Sequence, residues 1–170
     1  MGKKIAVVLT NMFEDSEYTE PANAYQEAGH ELTIIEKDKN KTIKGKNGTD
    51  ITVDASINDV NPAGFDALLI PGGFSPDLLR ADDRFVAFVK AFMNDMKPVF
   101  AICHGPQLLI TAETLKNRSV TGYKSIQVDL KNAGAAFQDK EVVVCQDQLV
   151  TSRTPDDIPA FNRESLKLLQ

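Results

Sequence analysis

The segment Ala101-Ile102-Cys103-His104-Gly105-Pro106 sets a thiol beside an imidazole at the end of an apolar run. Where a strand turns sharply into a helix, one side chain can be lifted above the sheet, and a thiol lifted in this way is a nucleophile. Ala101 and Gly105 are small enough to let the backbone pass closely, and Pro106 suits the first turn of a helix. The partial positive charge of a helix N-terminus favours a thiolate, so the pattern predicts a lowered pKa for Cys103. A buried cysteine that only fills space is the alternative. His104 is of the right type for a general acid or base. Consecutive residues on a tight turn point in different directions, which argues against a square approach of its ring to Cys103.

Two further segments bear on the same chemistry. Pro71-Gly72-Gly73 ends another apolar run, and glycines there free backbone N–H groups to point into a site. The amides of Gly73 and His104 are candidates for an oxyanion hole, with a tight strand exit as the alternative. Glu17 stands at the start of the first helix. It is either a solvated first-turn acid or a carboxyl turned inward onto Cys103. Turned inward, it is expected to be protonated, because two adjacent anions in a partly buried site repel. Cys145, in Val142-Val143-Val144-Cys145, reads as a packed strand thiol, and His30, after Gly29, as a solvated turn residue. Two cysteines without a Cys-x-x-Cys pair and two histidines make a zinc site hard to assemble. No Gly-x-Gly-x-x-Gly or phosphate loop occurs, so no cofactor and no metal is expected.

The elements that must position these groups alternate between strand and helix. Strands are expected at 5–9, 32–36, 67–70, 99–102, 119–121, 141–145 and 149–152, with a hairpin over 42–53 built around Asn47-Gly48. Helices are expected at 17–28, 82–96, 107–111, 125–132 and 159–169. Ser16 is a candidate cap for the first of them and Gly29 its stop. Pro21 is tolerated only in a first turn, which puts the start near Tyr18 or later. The alternation implies an open, mostly parallel α/β sheet with helices on both faces, and a site at the carboxyl ends of its strands.

The 170 residues suit one domain, 1–170, large enough for a core without disulfides. Hydrophobic residues at 42% and charged residues at 25% exclude a disordered chain. A net charge of −5 argues against a general nucleic-acid binder. No apolar stretch is long enough to span a membrane, and the run after Lys3-Lys4 is too short for a signal peptide. A cytoplasmic protein with reduced thiols is expected.

Taken together, Phe13-Glu14-Asp15-Ser16-Glu17, Gly29-His30, Phe65 to Gly73, Ser75 to Arg80, Ala101 to Gln107 and Thr151 to Asp157 resemble the ThiJ/PfpI superfamily, most closely its PfpI-like branch. The matching segments run along the whole chain in family order. The resemblance implies a flavodoxin-like three-layer α/β sandwich related to class I glutamine amidotransferases. It implies that Cys103 is the reactive elbow cysteine and Glu17 its carboxyl partner. It further implies that His104 pairs with an acid from a neighbouring subunit, at the position of Asp77, where the family member carries Glu, one methylene longer. Self-association to a dimer or larger assembly follows from that pairing.

The family's activities include peptidase, glutathione-independent glyoxalase, deglycase and chaperone-like or redox-stress roles. The reading ranked first is a stress-response enzyme that acts on a small aldehyde or glycated substrate through a hemithioacetal on Cys103. A cysteine peptidase or amidase using Cys103, His104 and Asp77 is the second, and a redox sensor or chaperone the third. No histidine follows His104, so the amidotransferase triad, with its late His and Glu, cannot form.

Overall fold

A computed structural model describes residues 2–170. Seven strands form the central sheet: β1 (Lys4–Val8), β2 (Glu31–Glu36), β5 (Ala55–Ser56), β6 (Ala67–Ile70), β7 (Val99–Ile102), β10 (Val143–Cys145) and β11 (Leu149–Ser152). Their order is β10-β11-β7-β6-β1-β2-β5, and every pairing is parallel except β10 with β11. From β1 the chain winds outward to β2 and β5, then crosses back to β6, β7 and β11. The topological switch point therefore lies between β1 and β6, and the crevice at their carboxyl ends is where such sheets bind ligands.

The central strands are apolar on both faces because both faces are covered. Ala6, Val8, Leu68, Ile70, Val99 and Ala101 point to one side, where they pack with α3 (Asp83–Asn94) and α4 (Pro106–Thr111). Ile5, Val7, Leu69, Phe100 and Ile102 point to the other, where Tyr25 of α1 (Asp15–Glu27) and Phe161 of α6 (Ile158–Leu168) meet them. The result is the three-layer, mostly parallel sandwich expected. The remaining elements are the hairpin β3 (Thr42–Lys44) and β4 (Asp50–Thr52), the short pair β8 (Ser119–Val120) and β9 (Ala136–Phe137), and helices α2 (Ser75–Leu79) and α5 (Gln127–Asn132).

Helix α1 departs from expectation at its start. It begins at Asp15, with Glu14 as the cap residue, and Ser16 does not cap it. Pro21 thus lies inside the helix, buried, where its ring removes one backbone donor. The C-terminus is as expected: Gly29 has φ 93°, its N–H reaches Gln26 O and the His30 N–H reaches Tyr25 O, which closes the helix. His30 is half-buried rather than solvated, because its Nδ1 accepts the Lys3 N–H at 2.9 Å. Sequence patterning did not reveal α2, β5 or β9, which span five, two and two residues. The expected helix over 125–132 is a 3-10 turn (Lys124–Ile126) followed by α5. No helix among the described residues is long and apolar enough to cross a membrane.

Candidate active site

Three loops meet at the switch point. The loops after β1 and β6 are stitched by an antiparallel bridge between Phe13 and Gly73, and the Glu14 N–H reaches Gly72 O at 3.2 Å. The loop after β7 carries Cys103, whose φ of 62° lies in the left-handed region. A non-glycine residue in that region is strained, and here the surroundings hold it. The Cys103 N–H donates to Ser152 O and the Gly105 N–H to Ile102 O, both at 2.9 Å. A Cβ at position 105 would stand 2.4 Å from Ile70 O, so the elbow closes only with glycine there.

Glu17 is wholly buried, at 0% exposure, which decides between the two sequence readings in favour of the inward carboxyl. The Gly72 N–H donates to its Oε1 at 2.9 Å, while Oε2 is buried without a nitrogen or oxygen partner. The Cys103 thiol is the side-chain neighbour to which the carboxyl couples. Burial, and then the charge of Glu14, push Glu17 up to about 8, so the carboxyl holds its proton at neutral pH.

Cys103 is 7% exposed, and its thiol is pushed up, first by burial and then by the Glu17 charge. This corrects the expectation of a lowered pKa. Desolvation leads the causes of the rise, and helix α4 has only six residues. What opposes the rise are the backbone N–H groups of His104 and Gly73, both directed at the sulfur. These are the two amides expected to form an oxyanion hole. With Glu17 protonated, its charge no longer opposes the thiolate.

His104 does approach Cys103. Its Nδ1 lies 3.4 Å from Cys103 Sγ, its Nε2 lies 3.2 Å from Ser125 Oγ, and its ring stacks on Tyr123 at a centroid distance of 4.8 Å. Burial and then the Lys46 cation lower its pKa, and Asp77 acts weakly against them, so the ring is neutral at neutral pH. Asp77, on α2, lines the same cavity on the same chain but makes no hydrogen bond to His104.

Two site residues escaped the sequence reading as functional groups, Glu14 and Lys46. Lys46 Nζ pairs with Glu14 Oε2 at 2.5 Å beside Cys103 and Glu17. The hairpin loop that carries Lys46 is tied down by Asp15, whose Oδ1 and Oδ2 accept the N–H groups of Asn47 and Thr49 at 2.9 Å. The Lys46 N–H adds a 2.9 Å bond to Phe13 O. The only signal was Gly45-Lys46-Asn47-Gly48 itself, a turn whose docking partner Asp15 lies 32 residues before Asn47. These groups line a cavity of about 620 Å³, rimmed by the apolar side chains of Met12, Phe74, Tyr123 and Pro155.

A model of the DJ-1/PfpI family matches residues 3–168. The chain belongs to the DJ-1/PfpI family. It is 78% identical to general stress protein 18 of Bacillus subtilis, over 100% of this chain and 99% of that one. It is 62% identical to protein/nucleic acid deglycase 2 of Escherichia coli, over 99% of each chain. Among solved structures, a two-domain Anabaena variabilis protein with DJ-1/ThiJ/PfpI-like and ferritin-like domains superposes with a TM-score of 0.94 at 37% identity, over 97% of this chain and 47% of that one. DJ-1/PfpI membership gives the elbow, the inward carboxyl and the glycine turn a common frame. Cys103, His104, Glu17, Gly73 and Asp77 of one chain line the same cavity, whereas Asp77 was expected to reach a neighbouring subunit's His104.

Proposed function

We propose that this protein is a cysteine-dependent enzyme of the stress response that converts reactive 2-oxoaldehydes, free or as adducts on other molecules, to 2-hydroxy acids. The observation that carries this reading is the pairing of a buried, protonated Glu17 with the Cys103 thiol in a cavity sized for a small substrate. Two amides directed at the reacting sulfur, and relatives named as a general stress protein and a deglycase, support it.

The steps balance without an oxidant. Cys103 Sγ bonds to the aldehyde carbon as the thiol proton passes to His104 Nδ1. The carbonyl electron pair moves to oxygen, which the Gly73 and His104 amides hold and Glu17 protonates, giving a hemithioacetal. The Glu17 carboxylate then removes the hydrogen from that carbon while His104 gives its proton to the neighbouring carbonyl oxygen, forming an enediol. Glu17 returns the hydrogen to the neighbouring carbon as the hydroxyl on the sulfur-bearing carbon passes its proton to His104 and becomes a carbonyl. The product is a thioester of a 2-hydroxy acid. Water then attacks the thioester, giving one proton to Glu17 and its hydroxyl to the acid, while His104 returns its proton to the departing Cys103 sulfur. Both groups and the thiol are restored, and the net change is the addition of one water.

The test is methylglyoxal consumption with lactate quantified, for the wild type, Cys103→Ala and Glu17→Ala. Turnover lost in both variants supports the reading, and equal turnover in Cys103→Ala sinks it. The 3.4 Å approach of His104 to Cys103 favours a second reading, a cysteine peptidase or amidase. In that case Asp77 of a neighbouring subunit in a dimer or larger assembly completes the triad with His104. Peptide hydrolysis that disappears in Asp77→Ala, with no aldehyde turnover, would select it.

A further inference from the structure

The surroundings of His104 contain one group that the steps above do not use. Ser125 lies in the 3-10 turn Lys124–Ile126, exposed, and its Oγ has one partner among the described residues, His104 Nε2 at 3.2 Å. The turn is anchored to the elbow itself: the Tyr123 N–H donates to Cys103 O at 2.9 Å, and the Ile126 N–H closes the turn onto Tyr123 O at 3.0 Å. Ring and hydroxyl are therefore carried on segments that move together. Tyr123 fixes the plane of the imidazole by stacking at an interplanar angle of 27°. Cys103 and Ser125 then occupy its two nitrogens, one on each side.

We propose that Ser125 is a positioning residue for this chemistry, which accepts the Nε2–H of His104 and so keeps the Nδ1 lone pair free to take the Cys103 proton. The proposal rests on the reading of His104 as the proton acceptor of Cys103.

A neutral imidazole carries one N–H, and the bond made by one nitrogen settles which form the other takes. With Nδ1 protonated, the ring would donate to the Cys103 sulfur and Nδ1 would have no lone pair to take the thiol proton. With Nε2 protonated, the thiol donates to Nδ1 and the ring donates to Ser125. After transfer the imidazolium keeps both partners, the thiolate on one side and the Ser125 hydroxyl on the other. Ser125 thus stabilises the charged ring, in opposition to burial. The charged and titratable groups that face His104 are Lys46 from the β3–β4 loop, Asp77 from α2, Cys103 at its side and the Tyr123 ring. None of them hydrogen-bonds to Nε2.

The chain has only two histidines, so long-range ¹H–¹⁵N spectra of the ¹⁵N-histidine-labelled protein resolve His104 from His30 once His104→Asn assigns them. The wild type is expected in the Nε2–H form. Ser125→Ala should give a mixture of tautomers and a lower His104 pKa, while Ser125→Thr keeps the wild-type spectrum. The alkylation rate of Cys103 at neutral pH should fall roughly fivefold in Ser125→Ala, the equivalent of one hydrogen bond, and recover in Ser125→Thr. A wild-type Nδ1–H tautomer, or an unchanged spectrum and titration in Ser125→Ala, overturns the proposal. These readouts need no turnover. Failure of aldehyde turnover with the tautomer result intact would reject the aldehyde reading and leave Ser125 in place.

Discussion

Gly72 and Glu17 are bound amide to carboxyl: the Gly72 N–H reaches Glu17 Oε1 at 2.9 Å, and a Cβ at position 72 would stand 2.5 Å from that oxygen. The same Cβ would also lie 2.9 Å from Cys103 Cβ. A residue with no side chain is thus wedged between acid and nucleophile, and their spacing depends on it. Gly72→Ala is expected to lower kcat/KM by at least tenfold. It should also destabilise the fold by about 1–3 kcal/mol, the usual range for overpacking. Denaturant unfolding and steady-state kinetics on one preparation check both. Wild-type kinetics in a correctly folded Gly72→Ala variant would mean that the wedge does not set the geometry.

The buried carboxyl also makes stability depend on pH. Glu17 lies near 8 in the folded chain against its ordinary 4.5, so between these values the folded state holds a proton that the unfolded state has released. More protons bound in the native state means stability that falls as pH rises across that window. The slope is at most about 1.4 kcal/mol per pH unit for one such group. Glu17→Gln, which keeps the shape and cannot ionise, should flatten the profile between pH 5 and 8. Urea midpoints at half-unit pH intervals show whether it does; parallel curves for both proteins would contradict the placement of Glu17.

The site was legible where its geometry is local. An apolar run ending in Cys103-His104-Gly105-Pro106 specifies an elbow because strand, turn and helix start all lie within a few residues. Asp77 was named only through the family pattern, since its five-residue helix is too short for a periodic signal. The Cys103 thiol was misjudged because a helix start is visible in sequence, whereas the burial that overrides it depends on Phe13 and Gly73 from two other loops and on Ser152 at the end of β11. The α1 start was misplaced because a propensity rule for Pro21 yielded to tertiary packing.

Those opposing influences on Cys103 give a measurable consequence. Burial, and above about pH 8 the charge of the ionised Glu17, hold the thiol protonated, so alkylation by iodoacetamide should rise only well above neutral pH in the wild type. Glu17→Gln removes the charge and leaves the burial. Its alkylation profile should shift to lower pH even as aldehyde turnover falls by roughly 100-fold or more, the usual worth of a general acid or base. Faster labelling together with slower turnover would separate Glu17's proton-transfer role from any role in activating the thiol. A shift in the opposite direction would mean that Glu17 promotes the thiolate.

Lys46 supplies the positive charge at the site, and its removal should move both titrating partners in the same direction. Its cation lowers the pKa of His104 and that of Glu17. In Lys46→Gln both should rise. His104 then stays protonated to higher pH and the acid limb of the kcat/KM profile moves upward. Glu14, released from its 2.5 Å partner, adds an unscreened negative charge to the same effect. Glu14→Gln combined with Lys46→Gln removes both charges and should bring the limb part of the way back. Asp15→Asn offers a control of a different kind, because it loosens the loop that carries Lys46 without touching the charge. If position matters as much as charge, Asp15→Asn reproduces a fraction of the Lys46→Gln shift. An acid limb unmoved in Lys46→Gln would show that solvent screens the cation and that burial alone keeps His104 neutral.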